Sequence, residues 1–140
     1  MKIAVLKRKS KVMKAFDKAG WKHYDQEHFG KDIEWNPKIY FLKAFIGGKI
    51  LGTLELKING GVGEIKTLLV EHTTLRRGVG KALMLKAEEM VKAHGGHKLF
   101  LTAGEGWQAV KFYEALGFEE TGKLPNHYFN VDFIEMSKFV

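Results

Sequence analysis

The sequence predicts an α+β fold, a mixed central sheet flanked by helices in the order β-α-α-β-β-β-α-β-α-β-β. Two glycine-marked turns, Gly47-Gly48-Lys49 and Asn59-Gly60-Gly61, join three strand-like runs into hairpins. Beyond them, apolar runs of strand type alternate twice with stretches of helical period. The chain then closes on two further strand-like runs within 118–137.

The elements follow in order. A strand is expected at 2–6, then helical segments near 10–20 and 22–30. Pro37 breaks the chain before a strand near 39–46, and the first hairpin leads into 50–58. The second hairpin leads into 63–70, where Ile65, Leu68, Leu69 and Val70 form a buried-type run. A helix over 79–94 is closed by Gly95-Gly96, and Leu99-Phe100-Leu101 marks a strand at 98–103. In the helix at 106–116, Ala109, Phe112, Tyr113 and Leu116 recur at helical spacing, and Gly117 stands at its stop. No repeat, linker or low-complexity segment interrupts the chain, and residues 1–140 are expected to form one domain.

Composition narrows the class. A hydrophobic fraction of 45% is globular, and no apolar run approaches the length of a membrane span. Ile3–Leu6 is too short an apolar stretch for a signal peptide. With zero cysteines there is no disulfide framework, thiolate zinc site or cysteine nucleophile. A cytoplasmic protein without membrane attachment is expected. The net charge of +7 comes from scattered lysines, the mark of a solvated surface, and no nucleic-acid partner is expected. The histidines His23, His28, His94, His97 and His127 lack metal-ligand spacing, so no metal is expected either.

The most informative stretch is LLVEHTTLRRGVGKALM, residues 68–84. A strand gives way to a polar turn, then to two arginines, two glycines and a helix-forming run. Such a junction leaves backbone N–H groups without partners at the positive end of a helix, which makes an anion site suited to phosphate. A P-loop would need glycine at Leu75 and Ser or Thr at Ala82, and a dinucleotide fingerprint would need Gly or Ala at Leu83. Both fail.

A third pattern fits. Residues 75–82 resemble the acyl-CoA pyrophosphate loop of the GNAT acetyltransferases, [QR]-x-x-G-x-[GA]. Arg77-Gly78-Val79-Gly80-Lys81-Ala82 matches it literally; counted from the strand, Gly78 and Gly80 take the two glycine places and Leu75 stands where Gln or Arg is usual. Residues 106–118 resemble a second segment of the family, N-x-x-A-x-x-[FL]-Y-[E]-x-x-G-F. Ala109, Phe112, Tyr113, Glu114, Gly117 and Phe118 are in place, and Gly106 replaces the Asn. The resemblance covers about residues 38–137.

What it implies is acetyl transfer from acetyl-CoA to a primary amine of a small molecule or peptide, by direct attack in a ternary complex. The cofactor would lie against Leu68, Leu69, Val70, Leu75, Arg76, Arg77, Gly78, Val79, Gly80, Lys81 and Tyr113. Tyr113 is the acid expected to meet the departing thiolate, since a phenol near ~10 and a thiol near ~8.5 are well matched. Glu64, raised toward neutrality by burial, is the expected base, with Glu71 and His72 as fallbacks. Main-chain N–H groups of Leu69 and Val70 are expected to hold the oxyanion, where the family's strand splays from its neighbour. Dimers are common in the family, and a homodimer is the expectation it carries. A non-catalytic acyl-CoA sensor of the same fold stays open.

The acceptor is less legible. Within 21–35, Trp21, Tyr24, Phe29 and Trp35 are interleaved with Asp25, Glu27, Asp32 and Glu34. That is either an aromatic and acidic wall for a cationic amine or an amphipathic surface helix. The stretch NHYFNVDFIEM loosely resembles protein N-terminal acetyltransferases, which keeps peptide N-termini open.

Overall fold

The computed structural model describes residues 1–74 and 77–140. The chain divides into two compact units, Met1–Trp35 and Asn36–Val140.

The first unit holds one helix, α1 (Lys11–Phe29). Ser10 caps it, its hydroxyl accepting from the Met13 N–H at 3.2 Å, and Gly30 ends it at φ 71°. Two features differ from the sequence expectation. The two helical segments are continuous, because a lone Gly20 costs a helix only about 1 kcal/mol and no proline accompanies it. Residues 2–6 form no strand; Ile3 and Val5 are exposed, and an alternating run without a neighbouring strand has nowhere to place its N–H and C=O groups.

The second unit is a six-stranded sheet with two helices. Its strands are β1 (Lys38–Ile46), β2 (Lys49–Asn59), β3 (Val62–Val70), β4 (Lys98–Gly104), β5 (Glu119–Leu124) and β6 (Phe133–Phe139). Helix α2 (Val79–Ala93) connects β3 to β4, and α3 (Gln108–Ala115) connects β4 to β5. The spatial order is β1-β2-β3-β4-β6-β5. Every pair is antiparallel except β3–β4. The mixed α+β class read from the sequence is what the chain adopts, without its first strand.

Both predicted hairpins form. Gly60 and Gly61, at φ 60° and 80°, make the two-residue turn between β2 and β3 that only residues tolerant of positive φ complete cheaply. The core lies between the sheet and α2. Gly80, Leu83, Met84, Ala87 and Val91 form the buried stripe of α2, spaced by three, four and seven. They meet Leu54, Leu56 and Ile58 of β2, Ile65 of β3 and Leu99, Leu101 and Ala103 of β4. This packing fixes where the N-terminus of α2 opens.

Candidate active site

Two irregularities in β3 create the site. The first is a bulge: Ile65 opposes Leu56 and Thr67 opposes Glu55, so Lys66 has no partner on β2. An extra residue of this kind bends and twists its strand. The second is the shortness of the parallel pairing. Val62, Gly63 and Glu64 pair with Lys98, Leu99 and Phe100, and there the ladder stops. β3 runs on to Val70 beside β2, while β4 runs on to Gly104 beside β6. The sheet forks.

The fork exposes main-chain groups. Glu71 N–H donates to the Leu51 carbonyl at 2.8 Å, in the same register that opposes Leu69 to Thr53 and Thr67 to Glu55. Antiparallel pairs alternate between bonded and non-bonded rungs. Leu69 and Thr67 therefore turn their N–H and C=O groups to β2, and Leu68 and Val70 turn theirs into the fork. For the expected oxyanion donors this is a correction: Val70 is placed to donate and Leu69 is engaged by its neighbour.

A cavity of about 190 Å³ fills the fork. Ile65, Leu68, Leu101 and Ala103 line it on the core side, and Thr67 and Thr102 line it where the strands turn to the other face. Tyr113 of α3 closes one wall. Its ring is held edge-to-face between Phe112 and Phe118, at centroid distances of 5.2 and 5.9 Å. Burial pushes the phenol's pKa above its ordinary 10, so the group stays protonated and able to donate at neutral pH.

Glu64 occupies the last paired rung, at the floor of the fork. Its side chain is half-buried, 31% exposed, with the Lys66 ammonium 3.8 Å away.

The mouth of α2 opens beside the far end of β3. Gly78 starts the helix at φ 79°, a left-handed value that glycine adopts without strain. Among the described residues no side chain caps the helix, and no acidic residue stands in its first turn. The first intrahelical bond runs from Ala82 N–H to the Gly78 carbonyl at 2.9 Å. The amides of Val79, Gly80 and Lys81 thus precede the helical ladder and face outward at its positive end. Gly80 sits in a narrow gap. A Cβ there would lie 3.2 Å from Phe112 Cζ and 3.3 Å from Val70 Cγ2, so its lack of a side chain lets helix, strand and α3 converge.

The sequence from residue 10 to 118 matches the acetyltransferase (GNAT) family. The chain belongs to that family. A glucosamine 6-phosphate N-acetyltransferase of Trypanosoma brucei brucei is 35% identical over 78 residues, 51% of this chain and 52% of that protein. The chain spans about half the length of the curated relatives it matches. Among solved structures, an acetyltransferase from Bacillus cereus superposes with a TM-score of 0.74 over 98% of both chains at 19% identity. A Bacillus anthracis chain crystallised with acetyl coenzyme A gives 0.69 at 24% identity, covering 75% of this chain and 64% of that one. These likenesses show a GNAT fold.

The structure brings most residues named from the sequence to one corner: Leu68, Val70, Gly78, Val79, Gly80, Lys81 and Tyr113, with Arg77 exposed beside the helix mouth. Leu75 and Arg76 lie outside the described residues. Glu71 accepts a hydrogen bond from the Thr73 hydroxyl, which lowers its pKa, and lies 3.8 Å from His72. A lowered carboxylate is a weaker base, so Glu71 does not gain as a base from its setting.

In the first unit, Trp21, Asp25, Asp32, Glu34 and Trp35 do line a common cavity, of about 470 Å³. Lys18 and Lys22 line it too, Trp35 donates its indole N–H to the buried Asp25 at 2.9 Å, and Gln26 donates to Asp32 at 2.7 Å. The acidic groups are thus largely engaged within the unit. Among the described residues no cluster of His, Asp and Glu is arranged to hold a metal ion, and no helix is long and apolar enough to cross a membrane.

Sequence reasoning missed the bulge at Lys66 and the share of Trp107 and Phe133 in the cavity. A tryptophan directly after Gly104-Glu105-Gly106, at the end of a buried strand, was the available signal for Trp107.

Proposed function

We propose that the chain is an acetyl-CoA-dependent N-acetyltransferase acting on a primary amine in a ternary complex. The observation that carries this reading is the meeting of the α2 mouth with the three-rung fork, because one extended ligand satisfies both. The amides of Val79, Gly80 and Lys81, with Arg77 beside them, hold the diphosphate of coenzyme A. Leu75 and Arg76 belong to the same loop by sequence. The pantetheine arm lies along β3, bonding the main-chain groups of Leu68 and Val70 as a further strand would. Its thioester then reaches the cavity where Tyr113 stands.

The chemistry balances without a covalent enzyme intermediate. Glu64, directly or through a water, takes a proton from the acceptor ammonium. The freed amine nitrogen attacks the thioester carbonyl carbon, forming the C–N bond, and the oxyanion is held by a main-chain N–H that β3 turns into the fork. Collapse breaks the C–S bond, the Tyr113 phenol gives its proton to the departing sulfur, and the second proton of the attacking nitrogen returns to the Tyr113 phenolate, directly or through a water, as the neutral amide forms. The chain's lack of cysteine fits a reducing cytoplasmic setting, and a homodimer is the assembly consistent with the family resemblance.

Thiol release measured with DTNB, using acetyl-CoA and a panel of amines and peptides, tests the reading. Amine-dependent release supports it. Tight acetyl-CoA binding without release under any acceptor would identify a sensor instead.

A further inference from the structure

The cleft has an aromatic wall that the acetyl-transfer machinery does not use. Trp107 lies flat on the main chain of Gly104: a Cβ built there would come within 2.1 to 2.6 Å of three indole carbons. Its ring meets Phe133 edge-to-face at 5.3 Å, and both residues line the cavity. Phe133 in turn meets Tyr128 at 5.2 Å and His127 at 5.7 Å, so the rings continue outward into the loop between β5 and β6.

That loop is braced. Asn126 N–H donates to the Asp132 carboxylate at 2.7 Å, His127 N–H to the Val131 carbonyl at 2.9 Å, and Glu105 N–H to the Asp132 carbonyl at 3.0 Å. The bracing holds Asn126, Phe129 and Asn130 at φ 50°, 53° and 63°. Asparagine tolerates the left-handed region, but a bulky phenylalanine there is an outlier. Phe129 is also 98% exposed, so no packing in the free protein offsets its backbone strain. Strain that buys no contact points to a contact made with a ligand.

Charge narrows the ligand. The ionisable side chains lining the cavity are Lys66 and Tyr113, and no carboxylate lines it. A polyamine would find an ammonium and no carboxylate among the lining residues. An amine with an aromatic body would find stacking partners.

We propose that the acceptor is an arylalkylamine, a primary amine on a short linker to an aromatic ring. The ring rests on Trp107 and Phe133, Phe129 closes over it, and the amine reaches down to the fork. This inference rests on the acetyl-transfer reading and names its acceptor class.

The test compares tryptamine and phenethylamine with spermidine and lysine at saturating acetyl-CoA. The expected kcat/KM for tryptamine exceeds that for spermidine at least about tenfold, the worth of one well-made aromatic contact. Phe129→Ala, at a fully exposed position, should raise the KM for tryptamine about tenfold with kcat changed less than about twofold, and Phe129→Tyr should restore it. Faster turnover of spermidine or lysine overturns the acceptor class while leaving acetyl transfer standing, as does an unchanged KM in Phe129→Ala. Acetyl-CoA binding with no thiol release under any amine overturns both.

Discussion

Gly80 is the most sensitive point of the corner, and a pair of substitutions there reads its geometry. A Cβ at this position would meet Phe112 Cζ at 3.2 Å, Val70 Cγ2 at 3.3 Å and Phe112 Cε2 at 3.6 Å. Carbon contacts are most favourable near ~3.5–4.0 Å, so alanine asks its neighbours to yield a few tenths of an ångström. That squeeze is offset by the gain of about 0.5–1 kcal/mol when alanine replaces glycine in a helix. Gly80→Ala should therefore change stability by less than about 1 kcal/mol. Valine adds two methyl groups that extend beyond the Cβ into the same filled gap. Overpacking of this kind costs about 1–3 kcal/mol, which lowers the thermal midpoint by roughly 3 to 10 degrees in a chain of this size. Relief requires Val70 or Phe112 to move, and with them the main chain facing the fork and the ring beside Tyr113. Acetyl-CoA affinity in Gly80→Val should accordingly fall between about 10- and 100-fold. Circular-dichroism melting gives the first quantity and calorimetric titration with acetyl-CoA the second. A valine variant that melts with the wild type and binds acetyl-CoA as tightly would refute the close convergence of α2, β3 and α3.

Further outcomes are open to measurement. Tyr113→Phe should lower kcat at least about 100-fold while leaving acetyl-CoA affinity within about threefold. Because burial raises the phenol, its activity should be lost only as pH climbs through a value above 10, and that basic limb should vanish in the variant. Glu64→Gln should lower kcat by about 100-fold while leaving acetyl-CoA affinity within about threefold; unchanged turnover would exclude it as base. Glu88 is desolvated, which would raise its pKa, but hydrogen bonds from Lys138 at 2.9 Å and an ion pair with Lys92 at 3.1 Å outweigh this and lower it. The stability this contributes is complete above the unfolded value of 4.5 and is lost as pH falls through the folded one. Glu88→Gln should cost about 1–2 kcal/mol at neutral pH and flatten the acid limb of a stability profile measured in urea.

The hairpins, the strands from 38 onward and both later helices were legible because each carries a local cause: a positive-φ turn, an apolar alternation, or a helical stripe with its stop. Phosphate-type amides at residues 78–81 were legible for the same reason, since glycines after a strand and before a helix leave N–H groups unpaired wherever they occur. What the sequence could not reveal depends on pairing. Whether Ile3 and Val5 form a strand rests on an available edge, not on their alternation. The fork rests on where β3 and β4 stop pairing, and the bulge at Lys66 is a register event with no glycine or proline to announce it. Register also decided which amides face the cleft, and so exchanged Leu69 for Leu68 beside Val70. The 31% exposure of the Glu64 side chain was not legible, because a strand-end position does not tell what packs over it.

The central claim is that coenzyme A joins the α2 mouth to the fork. Amide proton–nitrogen NMR spectra recorded while coenzyme A is added test it residue by residue. The largest shifts should fall on Val79, Gly80 and Lys81, with a second set on Leu68 and Val70 and smaller ones on Leu69. Saturable shifts confined to other amides, with these unmoved, would contradict it.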